Sequence, residues 1–484
     1  MDTAPLHDDT LPDIQAFIMY TYWPCALRTF VLQVQNPQAA RRFLGSLVNG
    51  DASTPQLATA DQSEQKHTYR LNVGITHAGL KALDLPKASL DSFPVEFVGG
   101  SLGGALDAAP RIGDTEESAP EHWQAPFAGP DVHILLFLFI TDRENTKETI
   151  DTQAAQLRRL YSDSGACREL SVCEADSLPH DVAHFGYTDG LAQPTIAGGP
   201  KAPALPWPGP GPAPKIKDIL PEVSRCEFLL GYCNQKIDKA PTPDELCKNG
   251  SYAAFRILEQ DCHGFETFLK DQAEKTNRSP EWIAAKLCGR WRSGAPLTLF
   301  PNADDPQRDV ASIERYNSFD YIKTAQFSPS EDYDDKFGNV CPIGSHIRRM
   351  NPRHAKVAGN SGLTHRIVRR GLPYGPAYDP ANPDDGIARG LMGIFIGASL
   401  SNQFEFLMKH WANDGGFAGV GQTKDPILGA NNPEDSKFVI PVAGEKPVVL
   451  RGFSRFVRTR GSAYCFLPSV TALKYLAGLP SPPA

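Results

Sequence analysis

The chain has 484 residues, 41% hydrophobic and 21% charged, with a formal net charge of −8. That length exceeds what one hydrophobic core usually organises, so two domains are expected, and the composition excludes a disordered chain. The acidic balance excludes a nucleic-acid binder, which needs a basic face. The ten cysteines include no Cys-x-x-Cys pair, and reduced thiols in a cytoplasm are the expectation. Met1 to Thr10 is acidic where an export signal needs a basic start and an apolar run. The longest strongly apolar run, Ile134 to Ile140, covers seven residues and is too short to span a bilayer as a helix. A cytoplasmic protein that enters no membrane follows; a homo-oligomer is left open.

Thr29 to Gln35 alternates Phe30, Leu32 and Val34 to one side, the period of a half-buried strand, and Asn36-Pro37 opens an amphipathic helix through Val48. Tyr69 to Ile75 alternates again, and Thr76 is placed to cap the short helix that follows. His133 to Thr141 predicts a strand, Glu144 to Leu160 a long helix and Leu170 to Cys173 another strand. This βαβ, βαβ order predicts a ferredoxin-like sheet with helices on one face. Pro200 to Pro214 is dominated by proline and glycine, which predicts a stiff linker and a domain boundary.

Beyond it the rhythm restarts: strands at Tyr252 to Leu258 and Leu391 to Ser399, helices at His263 to Ala273 and Gln403 to Trp411. Strands at Val448 to Leu450 and Ala463 to Leu467 and a helix at Val470 to Leu476 complete the expectation. The fold class is therefore α+β: two ferredoxin-like domains, 1–215 and 216–484, with antiparallel sheets flanked by helices. The Asp/Pro-rich stretches 301–338 and 376–387 read as long surface loops.

Two stretches carry chemistry. Cys341 to Gly375 holds His346 together with Arg348, Arg349, Arg353, Arg366, Arg369 and Arg370, a basic cluster in an acidic chain that points to an anionic ligand. A Gly-Ser turn and an Asn-Pro stop fix His346 on a short segment. A neutral imidazole suits haem iron, and arginines suit haem propionates. The second stretch is Phe185-Gly186-Tyr187-Thr188-Asp189-Gly190. Its bland reading is a turn, and His180 and His184, four apart, allow a zinc reading completed by Asp189.

Together the stretches resemble the dye-decolorizing peroxidase family of haem enzymes. The family's Gly-x-x-Asp-Gly signature is matched by Gly186 to Gly190. The proximal-histidine motif is matched by His346-Ile347-Arg348 with Asn351-Pro352-Arg353, and the distal-arginine string by Ile367 to Gly375. The resemblance implies haem b, bound mainly by the C-terminal half, with His346 as axial iron ligand and Arg348 and Arg353 near the cofactor. It further implies hydrogen peroxide as oxidant, Asp189 as proton carrier, Arg369 as charge stabiliser, and oxidation of dyes, phenols or other bulky donors through a ferryl intermediate.

Arg370, next to Arg369 in a strand-like segment, should point the other way. Ile394 and Ile396 stand where the family often places Leu and Phe, and are expected to line a narrow peroxide pocket. Glu405 is the candidate acidic partner of His346, and His354 and His365 are its nearest competitors as ligand. Tyr374 and Trp411 are candidates for carrying electrons from bulky donors. The alternatives are a non-catalytic haem-handling protein, which needs His346 but not Asp189 with Arg369, and a zinc-dependent hydrolase using His180 and His184.

Overall fold

Ile134–Ile140, apolar at every position, becomes a strand with neighbours on both edges and a packed layer on both faces. In a computed structural model of the chain, residues 6, 9–50, 54–62, 67–103, 107–199, 219–232, 241–307, 314–357, 360–383 and 385–480 are described. Eight strands form one sheet: β1 (Ala26–Val34), β2 (Tyr69–Ile75), β3 (Ile134–Ile140), β4 (Cys167–Asp176), β5 (Ser251–Gln260), β6 (Val368–Tyr374), β7 (Gly390–Gly397) and β8 (Val457–Leu467). Their spatial order is β4-β1-β3-β2-β8-β5-β7-β6, with every pairing antiparallel. The first four strands thus run 4-1-3-2 and the last four repeat that permutation. The two sets join where Ile75 of β2 pairs with Phe466 of β8.

Alternation along the strands gives the sheet two faces. Leu27, Val31, Leu135, Phe137 and Phe139 from the first half meet Phe255, Ile257, Ile394, Ile396 and Cys465 from the second in one buried cluster. The outermost strands, β4 and β6, touch each other, so the sheet curls around this cluster. The intervening residues Phe30, Leu32, Val73, Leu136 and Leu138 face outward onto helices α1 (Pro37–Asn49) and α7 (Val470–Ala477), which bury Phe43, Leu44, Leu47, Leu473 and Leu476 there. Both helices begin at side-chain caps: Asn36 accepts from the Ala39 N–H and Ser469 from the Ala472 N–H.

The α+β class expected from the sequence is the one the chain adopts, and most elements lie within a few residues of their expected bounds. Two helices differ in kind. The one expected over Glu144 to Leu160 is α-helical only at Thr146–Arg158 and continues as a π-turn, Arg159–Asp163. The one expected over Gln403 to Trp411 is π-wound, Leu400–Glu405 and Leu407–Ala412. Apolar periodicity reports the buried face and does not distinguish these windings. The Pro-rich stretch 200–214 lies outside the described residues. Among the described residues eight cysteines are free but Cys226 is disulfide-bonded, which departs from the all-thiol expectation. Among the described residues no helix is long and apolar enough to cross a membrane.

The halves are also locked by charge. Arg256 on β5 donates 2.6 Å bonds to both carboxylate oxygens of Asp114, and Thr459 on β8 shares the cluster, all in full burial. Removing one member strands the other without solvent. Arg256→Met is expected to lower unfolding stability by about 3–5 kcal/mol, read from the denaturant midpoint; a shift under about 1 kcal/mol would show that Asp114 is solvated after the change.

Candidate active site

Helix α5 (Pro280–Cys288) starts at the Ser279 cap and ends at Gly289, whose φ of +97° few other residues adopt. A Cβ there would stand 2.5 Å from Ile347 Cγ1, so only glycine admits the next helix, α6 (His346–Met350). Ser345 Oγ donates to the Lys286 carbonyl at 2.6 Å and fixes where α6 begins. Arg349, fully buried, donates to the carbonyls of Gly344, Trp411 and Thr423. That last bond ties α6 to the loop carrying Asp425.

Asp425 has no exposed surface, and its Oδ2 lies 2.9 Å from His346 Nδ1. The N–H groups of Ile427 and Leu428 donate to Oδ1 at 2.9 Å. Burial works against this carboxylate, but the His346 ring and its hydrogen bond, the Leu428 N–H and Arg349 together outweigh it and hold its pKa below the ordinary value. An ionised carboxylate only accepts, so Nδ1 carries the proton of this bond and Nε2 is the nitrogen left to face the cavity.

The Asp189 loop is built around two glycines, Gly186 at φ +83° and Gly190 at φ +79°. The Thr188 N–H donates to the Arg292 carbonyl at 3.0 Å, and Tyr187 OH donates to the Ala284 carbonyl on α5 at 2.8 Å. Asp189 Oδ1 accepts from the Gly190 N–H at 2.7 Å and stands 3.8 Å from Arg369 Nη1. Arg369 is braced by the same chain segment: Nη2 donates to the Ala192 carbonyl at 2.8 Å and its own N–H to Gln193 Oε1 at 3.0 Å. One loop therefore sets both members of the pair.

His346, Asp189 and Arg369 line one cavity of about 300 Å³, whose wall also carries Arg290, Arg353 and Arg366. Arg353 donates to the Asn317 and Phe319 carbonyls and lies 3.7 Å from the centre of the Phe319 ring. Burial, and then Arg353 beside it, bring the Arg290 pKa down to about 10, which leaves it cationic at neutral pH. The cavity thus joins an imidazole, a carboxylate–guanidinium pair and a cationic wall.

No protein-family model matches the chain. A dye-decolorizing peroxidase of Exidia glandulosa is 31% identical over 422 residues, covering 83% of this chain and 74% of the relative. The chain belongs to the dye-decolorizing peroxidase family. Peroxidase 2 of Mycetinis scorodonius is similar at 30% identity, covering 96% of this chain and 87% of its own length. A crystal structure of a decolorizing peroxidase from Auricularia auricula-judae superposes with a TM-score of 0.75 at 27% identity, covering 96% of this chain and 99% of that one.

The cofactor of this dye-decolorizing peroxidase is haem, and the cavity fits it: an imidazole lone pair for the iron and guanidinium groups for its carboxylates. Other expectations need correction. Ile394 and Ile396 are fully buried in the inner core, because alternation along β7 turns them away from the cavity; Leu391 and Phe395 form the wall there. Arg348 is not in the wall; it pairs with Asp335 at 2.9 Å and donates to the Cys341 carbonyl.

Glu405 meets Arg111 at 2.5 Å and accepts from Tyr464 OH at 3.1 Å, so it serves another cluster than His346. Trp411 is buried beside Leu407 and Phe417, whereas Tyr374 is half-buried, with a buried hydroxyl that has no hydrogen-bond partner. His354 bonds Asp320, and His365 Nδ1 contacts the Asn402 carbonyl; neither lines the cavity. His184 Nε2 contacts the Tyr374 carbonyl at 2.8 Å, and among the described residues no group of three ligating side chains gathers for zinc. Arg370 does point opposite to Arg369, with Nε donating to the Phe17 carbonyl.

Sequence reasoning missed Asp425, Arg290, Leu391 and Phe395. Asp425 lies 79 residues from His346 in a loop, so no local spacing announces it. Asp425→Asn keeps the shape but removes the charge that fixes the imidazole proton. Haem titration of the apoprotein is expected to show affinity about 10–100-fold weaker; unchanged affinity would mean that shape alone orients His346.

Proposed function

We propose that Asp189 and Arg369 divide the activation of hydrogen peroxide in this enzyme, and that His346 Nε2 would hold the haem iron. The chain is a peroxidase that uses hydrogen peroxide to oxidise dyes and phenols. Haem, when bound, supplies the iron at which the peroxide O–O bond breaks and the oxidising equivalents that donors then consume. The observation that carries the reading is the convergence on one cavity of the Asp425-held imidazole and the Asp189–Arg369 pair.

Each residue has a task that its surroundings support. Asp425 keeps the Nε2 lone pair directed and electron-rich. Asp189, about half exposed, takes the proton from the inner peroxide oxygen and returns it to the outer one. Arg369, fixed through Ala192 and Gln193, neutralises charge as the bond opens without having to reorganise. Arg353, with Arg290 and Arg366, would hold the haem carboxylates. For electron transfer from bulky donors, Trp411 is placed as an internal relay and Tyr374, half-buried, as one nearer the surface.

The division into 1–215 and 216–484 is supported by the strand permutation each half repeats. The cytoplasmic reading rests on the eight free cysteines, and the Cys226 disulfide points instead to an oxidising compartment. A non-catalytic haem-handling role is disfavoured because it gives the Asp189–Arg369 pair no task.

Two measurements test this. His346→Ala is expected to lose stoichiometric haem, and full occupancy with an unchanged ferric spectrum would remove His346 as ligand. In stopped flow, Asp189→Asn and Arg369→Leu should each slow the reaction with peroxide, by about tenfold or more for whichever residue dominates. Parent rates in both variants would refute the division of labour.

A further inference from the structure

Among the described residues, three buried polar atoms belonging to the wall of the haem cavity have no hydrogen-bond partner: Gln260 Oε1, Asn351 Oδ1 and the Tyr321 hydroxyl. The two amide oxygens can only accept. The phenol has a proton to donate, and Tyr321 keeps only 1% of its surface exposed. A buried hydroxyl left in this way lowers stability, and a ligand that accepts from it recovers the loss.

The surroundings fix Tyr321 and set the charge around it. The carbonyls of Asn317 and Phe319 accept from Arg353 Nη1 at 3.1 and 2.6 Å, Asp320 pairs with His354, and the Tyr321 N–H donates to Asp320 Oδ1 at 2.7 Å. The Arg348 guanidinium lies over the Tyr321 ring, 4.5 Å from its centre, and is itself tied to Asp335. Phe319 packs against two cavity arginines, 3.7 Å from Arg353 and 5.3 Å from Arg290. Burial pushes the phenol well above its ordinary pKa although Arg353, Arg348 and Arg290 act against the shift, so the oxygen keeps its proton. Tyr321 is thus a neutral donor at the cationic end of the cavity. Arg290 and Arg353 each spend Nη1 on two carbonyls, and a carboxylate has about four acceptor positions to fill.

We propose that the Tyr321 hydroxyl donates to a haem carboxylate, making Tyr321 a cofactor-positioning residue beside the arginines. The inference rests on the reading that the cationic wall holds those carboxylates.

The test uses Tyr321→Phe in the full chain. The change removes no bond within the protein, so the variant folds as the parent does. Haem loss from the loaded enzyme to excess apomyoglobin, followed in the Soret band, should become about tenfold faster or more, because a hydrogen bond to a charged acceptor is lost. In enzyme reconstituted with the dimethyl ester of haem, the same substitution should accelerate loss only about threefold, since a bond to a neutral acceptor is about half as strong. The carboxylate-bending band in the resonance Raman spectrum of the haem-loaded variant should move to lower frequency, with the iron–histidine band in place. Haem loss within about twofold of the parent, equal acceleration for haem and its ester, or an unmoved carboxylate band would overturn the proposal. The parent reports on the wall separately: if it retains haem and the ester equally, the carboxylate reading falls and the proposal with it. If the parent discriminates and the variant behaves like it, only the role of Tyr321 falls.

Discussion

A carboxylate with no exposed surface is the constraint on which the site depends. Asp425 stays ionised because its immediate surroundings supply two backbone N–H groups and the Nδ1–H of His346. The same bonds decide which imidazole nitrogen is free and where it points. The scaffold around the pair is rigid for a related reason. Arg349 is itself buried, and burial draws its pKa down to about 10; it remains charged by donating to carbonyls of three separate segments. A shift of the Asp425 loop would expose both charges to an unpaired interior, so helix and loop move together or not at all.

The sheet plays a different part. At the middle of its inner core Phe137, Phe255, Ile394 and Ile396 pack in full burial. The cavity forms where β5, β6 and β7 present residues of the opposite parity, Leu258, Arg369, Leu391 and Phe395, toward α5, α6 and the Asp189 loop. Because parity divides structural from functional positions, Arg369 and Arg370 can be adjacent and yet do unrelated things. Arg370 ends among core carbonyls while Arg369 meets Asp189.

That parity also explains what was legible in the sequence. The strands and their order of appearance could be read because both faces of the sheet are apolar and their turns are marked by Asn, Thr and Pro. The opposite aim of Arg370 followed from the period of two. On β7 the family likeness pointed to Ile394 and Ile396 for the cavity, and the pattern could not correct it, because an apolar strand buried on both faces gives no sign of which side faces a ligand. Gly186 and Gly190 marked the Asp189 loop because its positive φ angles demand glycine. Asp425 could not be found in this way. Its partnership with His346 spans 79 residues and exists only through Arg349 and the chain path around Trp411, which is tertiary information.

The density of buried arginine in an acidic chain then has a physical reading. Arg290, Arg353 and Arg349 are held by carbonyls more than by carboxylates. Carbonyl dipoles offset the desolvation of a guanidinium without cancelling its charge, so the field of each cation reaches the cavity. Had the same arginines been paired with aspartates, the wall would be neutral and would hold a dianionic cofactor less firmly. Asp189, which lines the cavity, stands 3.8 Å from Arg369, and about half its side-chain surface remains exposed. It is near the guanidinium yet open to solvent, which the fully paired Asp425 is not.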